Sequence, residues 1–260
     1  TDRLNSQLNS QTREEKDRFS ADISFVGSMY HKNSYDDIKD KLPPYLRGYF
    51  DAAMLAQLNI YGDNIIDELL TVDILKQLSE FVDFRQDKRA FSDIRLVFES
   101  TFLGFKLANI ERVRTLNLLA KKNKVALYTD EQDTSLINVD FKGTVDYMND
   151  MPKVFNNSSI NLNMTIRNIR TGIPLRVWDI LGAGGFLLTN YQIELTDYFK
   201  NEESIVYYED MYDCCKKAEY YLLHEDKRRQ IAAKGHELVS KKHSYINRVK
   251  YILDVIGKMS

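Results

Sequence analysis

The chain has 260 residues, of which 43% are hydrophobic and 28% are charged, a composition typical of a globular protein with a sizeable core. Its net charge of −2 gives no electrostatic reason to expect nucleic acid or an anionic membrane as a partner. The two cysteines are adjacent, so we expect free thiols and a cytoplasmic location, and no apolar run approaches the ~20 residues that cross a bilayer.

The start of the chain is predicted to lead into the first strand of a sheet. Residues 1–20 are polar and lack apolar periodicity, so we expect a linker that leaves an N-terminal domain outside this sequence. Residues 21–28 (ADISFVGS) are the first predicted strand, which ends at Gly27 and Ser28. A glycine at the carboxyl end of a strand lets the backbone approach a phosphate, so both residues are candidate phosphate ligands. Lys32, in the next loop, is either a further phosphate ligand or part of a solvated turn.

Residues 34–120 show helical periodicity and no convincing strand, so we predict an all-helical insertion after the first strand. Its aromatic side chains are expected to form a core rather than a binding stripe. Arg112 and Arg114 are expected to be ordinary solvated charges on a helix.

A second strand is predicted at residues 124–129, and an acidic loop with Asp130, Glu131 and Asp133 follows it. A metal site is one interpretation of that loop. An acidic loop without histidine is more often simply solvated, so no metal site is predicted. Residues 140–147 (DFKGTVDY) are a further strand candidate.

The stretch at residues 173–190 (IPLRVWDILGAGGFLLTN) is the strongest pattern in the chain. Pro174 suits the first turn of a helix, and Arg176 and Asp179 are three residues apart, on one face of that helix. A glycine-rich turn and a short apolar strand follow, and another strand precedes the helix at residues 160–163. This strand–helix–strand unit predicts an α/β fold with a Rossmann-like parallel sheet, whose ligands bind beyond the carboxyl ends of the strands.

Three arginines, Arg167, Arg170 and Arg176, are predicted to lie near the beginning of this helix. One interpretation is a set of surface salt bridges, which contribute little to stability. The favoured one is a clamp for a diphosphate, because a guanidinium donates two parallel hydrogen bonds to a phosphate. Arg176 is the best single candidate for such a contact.

The pattern of a proline-led helix, Arg176-x-x-Asp179, then small–Gly–Gly–apolar–Thr resembles the nucleotide-sugar-binding domain of GT-B glycosyltransferases. Among these enzymes it is most similar to the spore-maturation-protein (CgeB-type) glycosyltransferases. The resemblance implies that residues 21–260 form the C-terminal half of a GT-B enzyme. It also implies that Asp179 holds the donor ribose and that the backbone at Gly143 and Val145 pairs with the nucleotide base.

The resemblance further implies a nucleotide-sugar as the donor, with a UDP-sugar expected first, and no other cofactor. It implies an N-terminal acceptor domain of the same polypeptide as the partner, without which we expect no sugar transfer. In such enzymes the last helix crosses to that domain, so its exposed face is expected to lack a partner here. No catalytic base is assigned from the sequence.

Two other functions fit the same sequence. The chain is then either a nucleotide-binding module without transferase activity or a helical protein-interaction module whose insertion is the functional part. The interaction module predicts an exposed apolar patch on residues 34–120 and no nucleotide pocket near Asp179.

Overall fold

The computed structural model describes residues 2–82, 93–130 and 132–259. In these ranges a sheet of six strands forms the centre: β1 Ala21–Val26, β2 Val125–Tyr128, β3 Val139–Phe141, β4 Ser158–Asn163, β5 Leu187–Asn190 and β6 Val206–Tyr208. The strands lie in the order β3-β2-β1-β4-β5-β6, and every neighbouring pair is parallel. This is the strand order of a Rossmann-like sheet, so the predicted α/β fold class is confirmed.

Helices surround this sheet and are labelled in chain order: α1 Asp2–Asn9, α2 Arg13–Phe19, α3 Ser34–Ile38, α4 Pro44–Gln57, α5 Ile66–Leu69, α6 Val72–Ser79, α7 Ile94–Val97, α8 Phe105–Leu119, α9 Met151–Asn157, α10 Leu175–Gly182, α11 Leu195–Tyr198, α12 Met211–Leu223, α13 Glu225–Lys242 and α14 Tyr245–Met259. A 3₁₀ turn at Lys39–Lys41 follows α3, and a π-helical turn at Phe98–Gly104 leads into α8. No helix in the described ranges is long and apolar enough to cross a membrane.

Apolar strand residues bury both faces of the sheet, as parallel sheets with helices on each side require. On one face, Ile23 and Leu127 pack against α8 and α12. On the other face, Ala126 and Leu187 pack against α9 and α10. The two apolar layers fix α8 and α10 on opposite faces of the sheet, and each helix reaches the edge where the strands end.

The described part of the segment between β1 and β2 contains helices joined by loops and no strand, and it matches the predicted insertion there. Its aromatic side chains form a core of their own, as expected. Phe50 lies at its centre, edge-on to Tyr35 and with its ring centroid 4.9 Å from that of Phe98. The part of the predicted insertion at residues 83–92 lies outside the described ranges.

The segment predicted as a linker contains two helices, α1 and α2, that the sequence analysis did not predict. Thr12 and Glu15 make a reciprocal capping box at the beginning of α2, and Phe19 is buried at its end. Glu15 also pairs with Lys153 of α9. The T-x-x-E capping pattern was the sequence signal for this helix.

The strand predicted at residues 140–147 is also shorter than expected, because β3 ends at Phe141. Gly143 has a φ of +73°, a conformation that glycine adopts without strain, and it turns the chain away from the sheet edge. Its carbonyl accepts a hydrogen bond from the Thr129 N–H at 3.0 Å. Residues 142–147 therefore form a loop beside the end of β2.

Gly185, in the turn between α10 and β5, has no room for a side chain. An added Cβ would lie 2.6 Å from the Phe155 carbonyl oxygen and 2.6 Å from Asn161 Nδ2. We expect Gly185→Ala to lower the free energy of unfolding by ~1–3 kcal/mol, measured by urea denaturation. Gly182→Ala is the matched control, since a Cβ there has no neighbour within 4 Å. Equal destabilisation by the two substitutions would contradict this account.

Candidate functional site

A cleft of about 190 Å³ opens at the carboxyl ends of β1 and β4. Four elements supply its polar lining: Gly27, Ser28 and Tyr30 after β1, Asn163 and Thr165 at the end of β4, Pro174 and Arg176 at the beginning of α10, and Arg112 from α8. Gly27 and the beginning of the Pro174-led helix thus open onto one cleft. The position, beyond the carboxyl ends of parallel strands, is where ligands of this fold bind.

A smaller compartment of about 70 Å³ adjoins this cleft on the side of β5. It shares Thr165, Ile166 and Ile169 with the cleft, and Gly62 of the insertion is among its lining residues. Gln57, buried in α4, shapes the loop that carries Gly62 through side-chain hydrogen bonds to the Ile60 carbonyl and to the Ile65 N–H. The helical insertion thus contributes to the ligand edge of the sheet near β5.

A larger groove of about 850 Å³ lies elsewhere, between residues 196–207 and α13. It lies where β6 begins and is formed by the segment that leads into β6, by Tyr207 and by α13. Its charged residues include Lys200, which pairs with Glu203, and Lys241, which pairs with Glu237. Chemistry in this fold concentrates at the opposite edge, so we take the cleft at β1 and β4 as the candidate site.

Two asparagines hold the loop after β4 in place. The Asn190 side chain accepts from the Thr165 N–H at 2.9 Å and donates to the Thr165 carbonyl at 2.8 Å. The Asn163 amide donates to the hydroxyls of Thr165 and Thr189. All of these groups are buried, so the floor of the cleft is rigid before any ligand arrives.

Arg112 is the residue that the sequence analysis missed. It was expected to be solvated, but it is buried, and it donates to the Met164 carbonyl at 2.6 Å and to the Ser28 carbonyl. Its guanidinium carbon lies 4.8 Å from the centre of the Tyr30 ring. Burial holds its pKa below the ordinary arginine value. The sequence signal for its burial was helical spacing, since Arg112 is four residues before the buried Leu116 and lies on the same face of α8.

Glu111, the neighbouring residue on α8, forms a buried ion pair with Arg167. Arg167 Nη2 lies 2.9 Å from Glu111 Oε1, and the Tyr61 hydroxyl donates to the same oxygen at 3.0 Å. The Arg167 guanidinium also lies 3.8 Å from the centre of the Tyr61 ring. One network thus joins α8, the loop after β4 and the insertion.

The three arginines expected to form one clamp have different partners. Besides the Arg167 pair, Arg170 lies 3.1 Å from Asp67 and 3.2 Å from Glu99, and Arg176 lies 3.4 Å from Asp179. Of the three, Arg176 lines the main cleft, and Arg167 and Arg170 line the smaller compartment. Convergence on a single point is not observed, and the contact of each with a ligand stays a prediction.

Asp179 lies one turn into α10 and next to Arg176. The Tyr147 hydroxyl donates to its Oδ1 at 3.0 Å, and burial raises the pKa of the carboxyl above its ordinary value. Val145 packs against the apolar layer that includes α10, so the loop after β3 borders this end of the helix. Lys32 is exposed and is not among the cleft-lining residues.

No group of three or more histidine, cysteine, aspartate or glutamate side chains in the described parts of the chain is arranged to hold a metal ion. Asp133 instead accepts from Ser135 and Asn109. Glu131, the middle residue of the acidic loop, lies outside the described ranges.

The Glu111–Arg167 pair gives a testable prediction about stability. Arg167→Met leaves the Glu111 carboxylate buried without its counter-charge, so we expect a loss of ~3–5 kcal/mol in the free energy of unfolding. The double variant Arg167→Met/Glu111→Leu should lose much less than the two single variants combined, since no charge is then left unpaired.

The exposed Arg229–Glu225 pair of α13 is the control, and breaking it with Arg229→Met should cost at most ~1 kcal/mol. Urea denaturation measures all four variants. An unchanged stability of Arg167→Met would show that the buried pair does not hold the insertion to the sheet.

Comparison with known proteins gives a family for the chain. The sequence model of the family described as "Glycosyl transferase-like" matches residues 109–254, which is more than half of the chain and includes Arg112, Arg176 and Asp179. A search of curated proteins finds no match.

Several solved structures are similar at low identity. The crystal structure of S. aureus TarM is 14% identical with a TM-score of 0.44, and the match covers 55% of this chain and 31% of TarM. The C-terminal domain of the group 1 glycosyl transferase LpcC from Francisella tularensis is 13% identical with a TM-score of 0.43, over 52% of this chain and 78% of that domain. T4 phage BGT, solved with its UDP-glucose substrate, is 14% identical with a TM-score of 0.42, over 65% of this chain and 50% of its own.

The matched part of this chain spans less than a third of the length of TarM. The match to the sequence model is the finding that decides the family. The chain therefore belongs to the glycosyl transferase-like family.

Proposed function

We propose that this chain is the donor-binding domain of a glycosyltransferase that takes its sugar from a nucleotide-sugar. The observation that carries the proposal is the single cleft at the carboxyl ends of β1 and β4, into which Gly27, the beginning of α10 and Arg176 all open. Family membership favours this function over a nucleotide-binding or interaction module without transferase activity.

The beginning of α10 suits the donor diphosphate. Pro174 precedes the first turn with an extended backbone, and its carbonyl accepts the Val177 N–H at 3.0 Å. The preceding N–H groups of the first turn have no carbonyl partner within the helix, and they carry the partial positive charge of the helix dipole. A phosphate placed there gains both hydrogen bonds and a favourable field.

The same features support catalysis by positioning and electrostatics. When the bond between the sugar and the diphosphate breaks, negative charge builds on the leaving diphosphate. Arg176 and the first turn of α10 stabilise that charge more in the transition state than in the bound donor. The rigid hydrogen bonds of Asn190 hold the neighbouring loop, so little reorganisation accompanies the step.

Asp179 is assigned to the ribose. Its two carboxylate oxygens each have one donor in the structure, Tyr147 and Arg176, and an ionised oxygen accepts more than one hydrogen bond. Two adjacent ribose hydroxyls are donors of the right kind. Gly143 and Val145 are assigned to the base on the resemblance, through their backbone groups.

The donor is proposed to be a UDP-sugar, and the closer kinship with CgeB-type enzymes stays a prediction. We also propose that transfer needs a second, acceptor-binding domain. The support is α14, whose apolar residues Ile246, Val249, Leu253 and Ile256 are exposed, as expected for a helix that crosses to another domain. The chain by itself is then expected to bind donor without transferring its sugar to an acceptor.

A thermal-shift panel tests the function directly. A ligand that binds only the native state raises the melting temperature, so one nucleoside diphosphate among UDP, GDP, ADP and CDP should raise it at millimolar concentration. Its sugar conjugate should do the same, and the free base should not. A panel with no shift for any nucleotide or nucleotide-sugar would contradict the proposal.

Arg176 and Asp179 should divide the ligand between them. Arg176→Ala removes a charge-assisted contact worth ~1.5–3 kcal/mol, so affinity for the nucleoside diphosphate should fall about tenfold to a hundredfold while the nucleoside is little affected. Asp179→Asn should weaken nucleoside and nucleoside diphosphate alike and narrow the preference for a ribonucleotide over its dideoxy analogue.

Calorimetric titration measures both variants, and Arg229→Ala on the exposed face of α13 is the control for loss of an arginine. If Arg176→Ala keeps the wild-type diphosphate affinity, or Asp179→Asn keeps the ribose preference, the two residues form a structural ion pair and nothing more.

A further inference from the structure

The arginines around the cleft differ in one respect, which is whether a carboxylate neutralises them. Arg167, Arg170 and Arg176 each lie within 4.0 Å of a carboxylate oxygen. Among the described residues, no carboxylate lies that close to Arg112, which donates to the Ser28 and Met164 carbonyls and also hydrogen-bonds the Tyr30 side chain. The neighbouring Glu111 attracts this charge, but its carboxylate is paired with Arg167. Arg112 therefore brings a positive charge to the cleft without an ion-pair partner.

Such a charge is unfavourable where Arg112 lies. The residue is only 7% exposed, and its Nε is buried without a hydrogen-bond partner. A buried charge normally has a counter-charge, and a buried donor normally has an acceptor. Arg112 has no carboxylate within ion-pair distance among the described residues and its Nε has no acceptor, although it lines the cleft at the beginning of α10.

The neighbouring backbone is also held in an uncommon conformation. Tyr30 has a φ of +50°, in the left-handed region that non-glycine residues seldom occupy. Its ring stacks on Phe105 with centroids 4.7 Å apart, and the Arg112 guanidinium carbon lies over the same ring, 4.8 Å from its centre. The strained turn thus fixes an aromatic wall next to the unneutralised charge, a feature that occurs at ligand sites.

We propose that Arg112 is the main counter-charge of a phosphate subsite, formed together with the Ser28 turn and the first turn of α10. Its ligand is a phosphate or diphosphate group, which supplies both the missing negative charge and an acceptor for a guanidinium N–H. The assignment to the donor diphosphate rests on the proposed function, whereas the phosphate subsite itself does not require a nucleotide.

The proposal assigns to Arg112 a role different from that of Arg176. Arg176 forms an ion pair with Asp179, so a ligand must compete with Asp179 for the Arg176 guanidinium. Arg112 has no carboxylate within ion-pair distance among the described residues, since the neighbouring Glu111 is paired with Arg167. It also joins the two loops that follow β1 and β4. A phosphate bound to it therefore also fixes the relative position of these loops.

Arg112→Gln and its matched control Arg114→Gln test the subsite. Arg114 is exposed on the same helix, so both substitutions remove one charge from α8. Calorimetric titration uses UDP, inorganic pyrophosphate and uridine as probes. Arg112→Gln should weaken UDP and pyrophosphate at least tenfold and leave uridine within twofold, whereas Arg114→Gln should leave all three within twofold.

Two outcomes with these variants overturn the proposal. An equal loss of UDP and uridine affinity would show that Arg112 only braces the two loops. An equal loss for Arg112→Gln and Arg114→Gln would show that overall charge, and not a subsite, attracts the phosphate. The failures are also distinguishable. If the wild-type chain binds pyrophosphate but binds no nucleotide, the subsite is supported and the proposed function is contradicted. If it binds a nucleotide but no pyrophosphate, the proposed function is supported and the subsite is contradicted.

A measurement on the wild-type chain keeps the test valid if Arg112→Gln does not fold. Nitrogen-15 labelling of arginine gives each Nε–H group its own NMR signal, and Arg112→Lys identifies the signal of Arg112 by its loss. Addition of pyrophosphate should shift that signal more than the signal of Arg114. An unchanged Arg112 signal at saturating pyrophosphate would overturn the proposal.

Discussion

The buried ion pair between Glu111 and Arg167 fixes the helical insertion to the ligand edge of the sheet. Glu111 lies on α8, at the end of the insertion, and Arg167 follows β4, so the pair joins segments that are far apart in the chain. Two buried charges are tolerated only when their geometry is good and further hydrogen bonds satisfy them, and Tyr61 supplies one of these. The Arg112 position depends on this arrangement, because the adjacent residue of α8 is held in place by it.

The arginines around the cleft differ in whether a carboxylate pairs with them. Arg167, Arg170 and Arg176 have carboxylate partners within the protein, whereas no carboxylate of the described residues lies within ion-pair distance of Arg112. In our proposal, Arg112 and the partial positive charge at the beginning of α10 together favour an anion there, although the whole chain carries a net charge of −2. Local placement of charge, and not overall composition, determines what this edge of the sheet attracts.

The sequence predicted the fold well because its signals were local. Apolar runs gave the strands, and the proline-led pattern gave α10 and the turn before β5. The site was harder to predict, because partners such as Glu111 and Arg167 are 56 residues apart and no local pattern links them. The helical spacing that placed Leu116 in the core also placed Arg112 there, but an arginine at such a position is ordinarily solvated. The capped helix at Thr12 was missed for a different reason, since polar composition was weighed above a capping pattern.

A trade between stability and affinity follows from the unneutralised Arg112. Burial of a guanidinium without an ion-pair partner lowers the free energy of unfolding of the protein without ligand. A bound phosphate supplies that partner and removes the penalty. The free energy recovered in this way contributes to the affinity for the phosphate. The penalty is incurred during folding, and the loops that Arg112 joins are already in position when the ligand arrives. Pre-organisation of this kind reduces the conformational free energy lost on binding, because the loops are ordered during folding. A site arranged in this way discriminates between a phosphorylated ligand and its neutral counterpart more sharply than a solvated arginine does, since a neutral ligand leaves the buried charge uncompensated.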